Sequence, residues 1–298
     1  MALWMNLAEV VRSLRRSDVE VLELLLKASR RYQYVPFDYL HEGLGLSAST
    51  LEKRLSFLNK LGLIRRWAGR YVGFELKSVG LDALALYRLA ERGVVEALGP
   101  KLGVGKEAEV YEAITPSGER VVVKFHRAGR RSFKHVRKVR VYLSRVQGSV
   151  ACVAPLIAAL RELRALRKVV KAGVSAPRPL ARFKHALVTT LIEGVLLQRC
   201  FYLEDPEGFF EALMSNVAKA YWEAGVVHGD LSEYNVVVTP DFKPLLIDWP
   251  QWLPTSHPSA IRLLVRDVNQ LCLFFKRRFG LKVEGKAVLE ELGVPQGG

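Results

Sequence analysis

Residues 227–238 read Val-His-Gly-Asp-Leu-Ser-Glu-Tyr-Asn-Val-Val-Val, and residues 245–251 read Leu-Leu-Ile-Asp-Trp-Pro-Gln. Asp230 and Asn235 stand in the D-x-x-x-x-N spacing of loops that transfer phosphoryl groups. In such loops the carboxylate accepts the proton of the attacking hydroxyl and the amide oxygen helps to hold Mg²⁺. Asp248 closes an apolar strand, so its carboxylate projects from a rigid end where it can hold Mg²⁺ that bridges nucleotide phosphates. One such Asp is most often a turn residue, but the three residues in this order predict a phosphoryl-transfer site.

A glycine turn and a lysine-bearing strand precede this segment. Residues 102–111 read Leu-Gly-Val-Gly-Lys-Glu-Ala-Glu-Val-Tyr, where Gly103 and Gly105 let the backbone approach phosphates with its N–H groups turned inward. The pattern is weak on its own, but Lys124 follows among apolar neighbours, where an ammonium needs an anionic partner. This order is that of the small lobe of protein kinases, in which the lysine pairs with ATP phosphates and a helix glutamate. Glu162 is the obvious glutamate, and its alternative is an ion pair within its own helix.

The first 80 residues predict a separate small domain. Residues 17–27 and 47–61 carry apolar stripes at helical spacing, and a shorter helix lies between them around 37–42. Residues 63–76 read as two strands joined by a basic turn. Three helices and a two-stranded wing are typical of a winged helix-turn-helix, whose second helix and wing approach a nucleic-acid groove; the same fold also docks proteins. The candidate nucleic-acid-binding residues are Lys53, Arg54, Arg65, Arg66 and Arg70.

Positive charge is concentrated in one part of the chain. The formal net charge is +15, and 14 of the 45 Lys and Arg residues lie within residues 124–171, where Glu162 is the only acid. Charge runs are usually solvated, but so one-sided a block repels itself and favours a polyanionic partner such as nucleic acid. The basic stretch 127–145 is predicted to be a flexible loop beside the site. Ser132 and Ser144 in it are candidate autophosphorylation targets, with plain solvent exposure as the alternative for each.

The composition excludes several classes of protein. Half of the residues are hydrophobic and a quarter are charged, as in globular proteins. The longest uncharged apolar run, residues 150–160, is well short of the ~18–20 residues that span a bilayer, so no membrane partner is expected. The three cysteines are odd in number and far apart in sequence, which favours a reducing, cytoplasmic location over a disulfide framework.

The motifs also carry a family resemblance. His-Gly-Asp-Leu-Ser-Glu-Tyr-Asn over 228–235 and Ile-Asp-Trp-Pro-Gln over 247–251 resemble the RIO family of atypical kinases. Residues 125–137 and 256–279 resemble its winged-helix-bearing Rio-two subfamily, of the archaeal type. The resemblance implies an α+β fold in which a winged helix-turn-helix precedes a minimal bilobal kinase-like domain. The expected bounds are 1–80 for the winged helix, 81–100 for a helical linker, 101–190 for the N-lobe, 191–292 for the C-lobe and 293–298 for a tail.

The resemblance further implies a function and a set of site residues. It implies a non-specific serine/threonine kinase or ATPase that uses ATP and Mg²⁺, with Mn²⁺ as a possible substitute. Its partners would be the small-ribosomal-subunit precursor and its rRNA. The ATP-binding residues would be Gly103, Val104, Gly105, Lys106, Glu107, Lys124, Glu162, Thr190 and Ile192, the last two in the hinge that reads adenine. The catalytic residues would be Asp230 and Asp248, and the metal ligands Asn235 and Asp248. One departure is Ala108, where the family usually places a serine.

Two neighbours of the site have expected structural roles. His228 is expected to support the loop through hydrogen bonds. Asp267 either hydrogen-bonds the backbone of the catalytic loop or forms an exposed ion pair with Arg266.

Other functions remain open at this point. The same loops resemble those of aminoglycoside and choline phosphotransferases, but their cationic acceptors call for an acidic pocket, and the charge here is the opposite. A nucleotide-gated nucleic-acid-binding regulator would bind a duplex with strong sequence preference and without ATP turnover.

Two mechanisms also share the same residues. Asp230 can orient a serine hydroxyl or water for attack on the γ-phosphate, or Asp248 can itself be the nucleophile that forms an aspartyl-phosphate.

Overall fold

The structure is a computed structural model that describes residues 6–104, 107–127 and 150–294. Gly105, Lys106 and the basic stretch after Arg127, with Ser132 and Ser144, lie outside the described residues. The chain divides into two compact units. The first comprises residues 1–159 and 181–188, and the second comprises residues 160–180 and 189–298.

The first unit opens with helices and a small sheet that together form the predicted winged helix-turn-helix. The helices are α1 (Leu7–Ser13), α2 (Arg16–Ala28), α3 (Phe37–Leu44), α4 (Ala48–Lys60) and α5 (Ser78–Glu91). The strands are β1 (Val35–Pro36), β2 (Ile64–Ala68) and β3 (Val72–Leu76), which pair antiparallel in the order β1-β3-β2. The apolar stripes bury Leu22, Leu25, Leu51 and Leu58 completely. Ser47 accepts the N–H of Thr50 and so caps α4, as its sequence predicts.

Helix α5 belongs to this N-terminal core, although its residues read as a linker in the sequence. Gly80 packs so closely that a Cβ there would lie 2.2 Å from the carbonyl oxygen of Leu63. Residues 80–86 are all buried. The next strand, β4 (Ala97–Val104), begins at Ala97, which already pairs with Ile114. Residues 97–100, which the sequence predicts to end a helical linker at Gly99-Pro100, therefore belong to a strand.

A five-stranded sheet carries the predicted lysine. Its strands are β4, β5 (Ala108–Ile114), β6 (Arg120–His126), β7 (Pro179–Phe183) and β8 (Ala186–Thr190), in the order β4-β5-β6-β8-β7. In β6 the side chains of Val121, Val123 and Phe125 are buried, so they share one face of the strand. Lys124 therefore lies on the opposite face, half-buried and paired in register with Val110.

Helices dominate the second unit. They are α6 (Val150–Lys171), which begins in the first unit, then α7 (Pro206–Trp222), α8 (Ala260–Phe279) and α9 (Gly285–Glu291). A 3₁₀ turn spans Leu197–Arg199. The short strands are β9 (Val195–Leu196), β10 (Val226–Val227), β11 (Val236–Val238), β12 (Pro244–Leu246) and β13 (Leu253–Pro254). They form the sheets β12-β11-β9 and β10-β13.

Helix α6 starts earlier than the sequence predicts. Proline usually marks the first turn of a helix, and the sequence accordingly predicts a start at Pro155. The helix instead begins at Val150 and contains Pro155. Among the helices of the described residues, none has the length and apolar character to cross a membrane.

Candidate phosphoryl-transfer site

The loop between β10 and β11 carries Asp230 and Asn235. The Nδ2 atom of Asn235 donates to the carbonyl oxygen of Asp230 at 2.8 Å. Because the amide nitrogen is used within the loop, the side-chain oxygen of Asn235 is the atom left for a cation. Gly229 adopts φ +78°, and a Cβ there would lie 2.8 Å from the carbonyl oxygen of Gln251. The glycine before the aspartate is thus required by conformation and by space.

The backbone of Ile247, the residue before Asp248, is joined to this loop by two hydrogen bonds. The N–H of Ile247 donates to the carbonyl oxygen of Asn235 at 3.0 Å, and the Nε2 atom of His228 lies 3.0 Å from the carbonyl oxygen of Ile247. Asp248 itself adopts φ +67°, a left-handed conformation that Asp tolerates better than most residues. Strained backbone of this kind is concentrated at functional sites. The structure therefore brings the loops of Asp230, Asn235 and Asp248 together, and the supporting role predicted for His228 is confirmed.

Two adjacent residues of helix α8, Arg266 and Asp267, hold the loop that carries Asp230 and Asn235, which we call the catalytic loop. Asp267 is buried and its Oδ2 accepts the N–H of Gly229 at 2.9 Å. Arg266 donates from Nη2 to the carbonyl oxygen of Gly229 at 2.6 Å and to Oδ1 of Asp267 at 2.7 Å. Burial raises the pKa of Asp267, and the hydrogen bond from Arg266 opposes that rise. Of the two roles expected for Asp267, the backbone hydrogen bond is confirmed.

A clamp that the sequence did not reveal holds the segment after Asp248. Arg161 in α6 donates from Nε to the carbonyl oxygen of Pro250 at 2.8 Å and from Nη2 to that of Trp252. The indole Nε1 of Trp252 donates back to the carbonyl oxygen of Arg161 at 2.8 Å, and the guanidinium lies 5.6 Å from its ring centroid. Burial lowers the pKa of Arg161. The next residue on α6 is Glu162, whose side chain is 3% exposed.

The remaining nucleotide-binding candidates lie in both units. A Cβ added at Gly103 would meet no atom within 4 Å. The carbonyl oxygen of Glu107 accepts the N–H of Arg127 at 2.7 Å. Val104 ends β4. Lys124 belongs to the first unit and Glu162 to the second, so their pairing stays a prediction.

The predicted hinge follows β8. The N–H of Thr190 donates to the carbonyl oxygen of Arg178 at 2.9 Å, and its Oγ1 accepts the N–H of Arg178 at 3.0 Å. Ile192 is half-buried two residues further along.

A buried ionic network joins the N-terminal helices to the sheet within the first unit. Arg127 donates from Nη1 and Nη2 to the two carboxylate oxygens of Asp82 at 2.7 and 2.6 Å. The Nε2 atom of His185 lies 2.7 Å from Oδ1 of the same carboxylate. Burial lowers the pKa of His185 in spite of that contact, so the neutral imidazole donates an N–H to Asp82. The pKa of Arg127 is raised, because burial, which would lower it, is outweighed by Asp82 and Glu109.

The same arginine reaches the strands that flank the glycine turn. Arg127 lies 3.1 Å from Oε1 of Glu109 in β5, and Lys101 in β4 donates to Oε2 at 2.7 Å. Burial would raise the pKa of Glu109, but the hydrogen bonds and charges of Lys101 and Arg127 lower it to about 2. Partners 45 or more residues apart, such as Asp82 and Arg127, give no local signal in a sequence, which is why this network was missed.

The basic residues predicted to bind nucleic acid differ in their availability. Arg54 lies 3.5 Å from the buried Asp18 and its side chain is only 19% exposed. Arg65 lies 2.6 Å from Glu75. Arg65 is nevertheless exposed, as are Lys53, Arg66 and Arg70.

The donor atoms of the site suit a magnesium ion. Within the described ranges, no cluster of three or more His, Cys, Asp or Glu residues could hold a metal ion. Asp248 and Asn235 together offer a carboxylate and an amide oxygen. Mg²⁺ binds oxygen, commonly through one or two carboxylates, and takes its other ligands from water and substrate phosphates. The residues therefore fit a magnesium ion that arrives with a nucleotide.

Comparisons with known proteins cover both parts of the chain. The sequence profile of the RIO domain matches residues 109–288, and the profile described as "Rio2, N-terminal" matches residues 11–92. The RIO-type serine/threonine-protein kinase Rio2 of Methanocaldococcus jannaschii is 32% identical over 253 residues, which is 83% of this chain and 92% of that protein. The serine/threonine-protein kinase rio2 of Schizosaccharomyces pombe is 30% identical over 92% of this chain and 80% of its own. The Dictyostelium discoideum rio2 is also 30% identical, but this chain spans only 52% of it.

A solved structure matches as well. The crystal structure of the Rio2 kinase–ADP/Mg²⁺–phosphoaspartate complex from Chaetomium thermophilum has a TM-score of 0.81 and 28% sequence identity, covering 96% of this chain and 89% of that one.

Proposed function

This chain belongs to the RIO family of serine/threonine-protein kinases, with the N-terminal domain of the Rio2 members, and from that premise we propose an ATP- and Mg²⁺-dependent phosphoryl-transfer enzyme. The observation that carries the proposal is the hydrogen-bonded pair of loops, in which Asn235 binds the backbone of Asp230 and Ile247 binds that of Asn235. These bonds fix a proton acceptor and two oxygen ligands in one place. Mn²⁺ is the ion we expect to replace Mg²⁺.

The residues would divide the work as follows. Asp230 orients the attacking hydroxyl or water and takes its proton. Lys124 in β6 would contact the phosphates, and Glu162 would position its ammonium. The carbonyl of Thr190 and the backbone of Ile192 bind the adenine. A magnesium ion held by Asp248 and Asn235 neutralises the charge that develops on the phosphates.

For the covalent step we favour Asp248 as the nucleophile, because the Chaetomium relative was crystallised with a phosphoaspartate. A carboxylate oxygen of Asp248 attacks the γ-phosphorus, the bond from that phosphorus to the β–γ bridging oxygen breaks, and ADP leaves. Water then attacks the phosphorus of the acyl phosphate, Asp230 takes its proton, and phosphate departs to restore the Asp248 carboxylate. Transfer to a serine hydroxyl follows the same path with the hydroxyl in place of water.

The test is to incubate the protein with γ-labelled ATP and Mg²⁺ and to sort the label. Free phosphate, acid-stable phosphoserine and hydroxylamine-labile acyl phosphate are measured separately. Asp230→Ala is expected to abolish turnover, and Asp248→Asn, which keeps the backbone conformation accessible, to abolish the acyl phosphate. Asp241→Ala removes an exposed aspartate that pairs with Lys243 and should leave both unchanged. Equal acyl phosphate in wild type and Asp248→Asn would rule out Asp248 as the nucleophile.

The partner we propose is the small-ribosomal-subunit precursor, contacted through its rRNA. Support comes from the net charge of +15 and from the exposed Lys53, Arg66 and Arg70 on the N-terminal domain. A reducing, cytoplasmic location agrees with Cys200 and Cys272, which are buried and free. Co-sedimentation with small subunits, weakened at least severalfold by Lys53→Ala with Arg66→Ala, would test the assignment.

A further inference from the structure

A groove of about 560 Å³ runs along helix α8 in the second unit. One wall is a single helix face, since Arg266, Gln270, Leu273 and Arg277 recur at i, i+4, i+7 and i+11. The opposite wall includes Tyr234 from the catalytic loop. With the exception of Arg266, none of these side chains has a part in the phosphoryl-transfer site described above.

Aromatic rings lie in this groove and beside it. Tyr234 and Phe274 line it, and Phe201 lies next to it against the lining residue Arg278. Phe201 is 82% exposed and Tyr234 is 56% exposed. The guanidinium of Arg278 lies 4.6 Å from the ring centroid of Phe201 and 5.5 Å from that of Phe274. Large apolar side chains grouped on a surface mark a site of interaction. Aromatic rings alternating with arginine planes are the platforms on which unpaired bases stack.

The groove also carries cationic charge that is not neutralised locally. Arg277 is exposed, and within the described ranges it makes no ion pair. Side-chain amides of Gln198, Asn269 and Gln270 line the same groove. Arginines bind phosphates, and amides offer both the donors and the acceptors that base edges require.

One acidic residue decides between two classes of anionic partner. Glu233, a residue of the catalytic loop, lines the groove together with the arginines. An acidic peptide would place its carboxylates against this carboxylate and has no side-chain donor for it. A nucleobase instead offers exocyclic and ring N–H groups, which carboxylates accept. The lining therefore favours bases and phosphates together over a run of acidic side chains.

We propose that this α8 groove binds a single-stranded nucleic acid, which is RNA if the proposed function holds. Bases stack on Phe201 and the neighbouring rings, while Arg277 and Arg278 contact the phosphates. The site is separate from the winged helix, so the chain would hold RNA at two places, one of them beside the catalytic loop.

The experiment measures binding of a fluorescent ten-nucleotide oligouridine to the full chain by anisotropy, at several salt concentrations. Stacking is worth ~1–3 kcal/mol per base, so Phe201→Ala and Phe201→Leu should each weaken binding about fivefold or more. Leucine keeps the apolar bulk without the ring and therefore tests stacking directly. Arg277→Ala should weaken binding. It should also make the slope of log affinity against log salt concentration less steep by about 0.7, the value for one phosphate contact in a single strand.

Lys276→Ala is the matched control, because it removes a charge from the same turn of α8 outside the groove, and it should change affinity less than twofold. The double variant Lys53→Ala with Arg66→Ala shows how much the winged helix contributes to the affinity for the oligouridine. Unchanged affinity in Phe201→Ala and Arg277→Ala overturns the proposal. So does a polyglutamate peptide that binds the wild type, loses affinity in these variants and excludes the RNA.

ATP turnover and thermal melting are recorded for every variant. Weaker RNA binding in Phe201→Ala and Arg277→Ala, with ATP turnover and melting temperature as in the wild type, supports RNA binding in the groove. Absent turnover in the wild type with the groove effects present contradicts the proposed enzyme and leaves the groove standing.

Discussion

At the scale of single residues, the chemistry depends on side chains that never touch a substrate. Asp267 fixes the N–H of Gly229, and Arg161 fixes the carbonyl groups after Asp248. Both act on main-chain atoms, whose positions a side chain elsewhere in the sequence can set. The aspartates of the site are recognisable from a motif, whereas these anchors become visible only in three dimensions.

Arg161 gives a prediction at this scale. Arg161→Ala removes charged donors from the carbonyl groups of Pro250 and Trp252, so the free energy of unfolding should fall by about 1.5–3 kcal/mol. Because the segment after Asp248 loses its anchor, kcat should fall about tenfold or more while KM for ATP changes less. Urea unfolding and steady-state ATPase rates measure the two effects.

Two further variants control that experiment. Arg161→Lys keeps the charge without the planar fork and should recover only part of the loss. Arg164→Ala removes an exposed arginine one turn along the same helix and should leave both quantities near wild type. A decrease in stability without any decrease in kcat would show that the clamp has no positioning role.

At the scale of elements, the end of β6 and the start of β8 are joined to helix α5 through one buried carboxylate, that of Asp82, which contacts Arg127 and His185. Burial lowers the pKa of His185, and the charges of Arg127 and His126 lower it further, whereas the hydrogen bond that His185 donates to Asp82 opposes the decrease. The native protein therefore keeps a neutral imidazole at pH values where the unfolded chain, with a histidine pKa of about 6.5, is already protonated. Protonation then favours unfolding, so stability is lost as the pH falls through about 6.5 and is fully present above it.

The corresponding prediction uses His185→Gln, which keeps an N–H donor for Asp82 but does not titrate. The free energy of unfolding of the wild type should fall more steeply between pH 7 and 5 than that of the variant, measured by urea unfolding. His257→Gln replaces an exposed histidine and should follow the wild-type curve. Parallel curves for wild type and His185→Gln would contradict the neutral state of His185.

The elements also show how far the sequence reaches. Helical periodicity places α2 and α4 correctly, because each has one buried face, and the apolar run around Lys124 places β6. The basic turn within residues 63–76 places β2 and β3, although in β2 only Ile64 is buried. Pro155 gives the wrong start for α6, because a proline near the start of a helix does not fix its first residue. Gly99-Pro100 lies inside β4 and coincides with a shift in register between Leu98 and Lys101, so it marks an irregularity of the strand and not its beginning. The spacing of Asp230 and Asn235 predicts their joint loop, but Arg161 and Trp252, 91 residues apart, have no pattern that would connect them.

At the scale of the whole molecule, the N-terminal domain contributes more to the first unit than a tethered module would. Asp82 lies on α5, yet the partners of its carboxylate, Arg127 and His185, are the residues just after β6 and just before β8. A chain of residues 93–298 would lack Asp82 and would leave the half-buried guanidinium of Arg127 with Glu109 as its carboxylate partner. The loss should be smaller than the about 3–5 kcal/mol that breaking a fully buried pair costs. We therefore expect this shortened chain to melt at a clearly lower temperature than the full chain.

A double-mutant cycle in the full chain separates this effect from other losses. Asp82→Ala and Arg127→Ala should each be strongly destabilising, and the double variant should be less so than their sum, with a coupling of about 1–3 kcal/mol. Additive effects would show that the pair is not energetically coupled.

The shared arginine has a consequence for how this protein can change over evolutionary time. Arg127 serves Asp82 and Glu109 at once, and Lys101 serves Glu109 from the other side. Replacing Arg127 by a neutral residue would remove the arginine that pairs with Asp82, and replacing Glu109 would remove the carboxylate that pairs with Lys101. Substitutions there should accordingly arise in compensated sets, so that in an alignment of relatives these columns vary jointly or not at all.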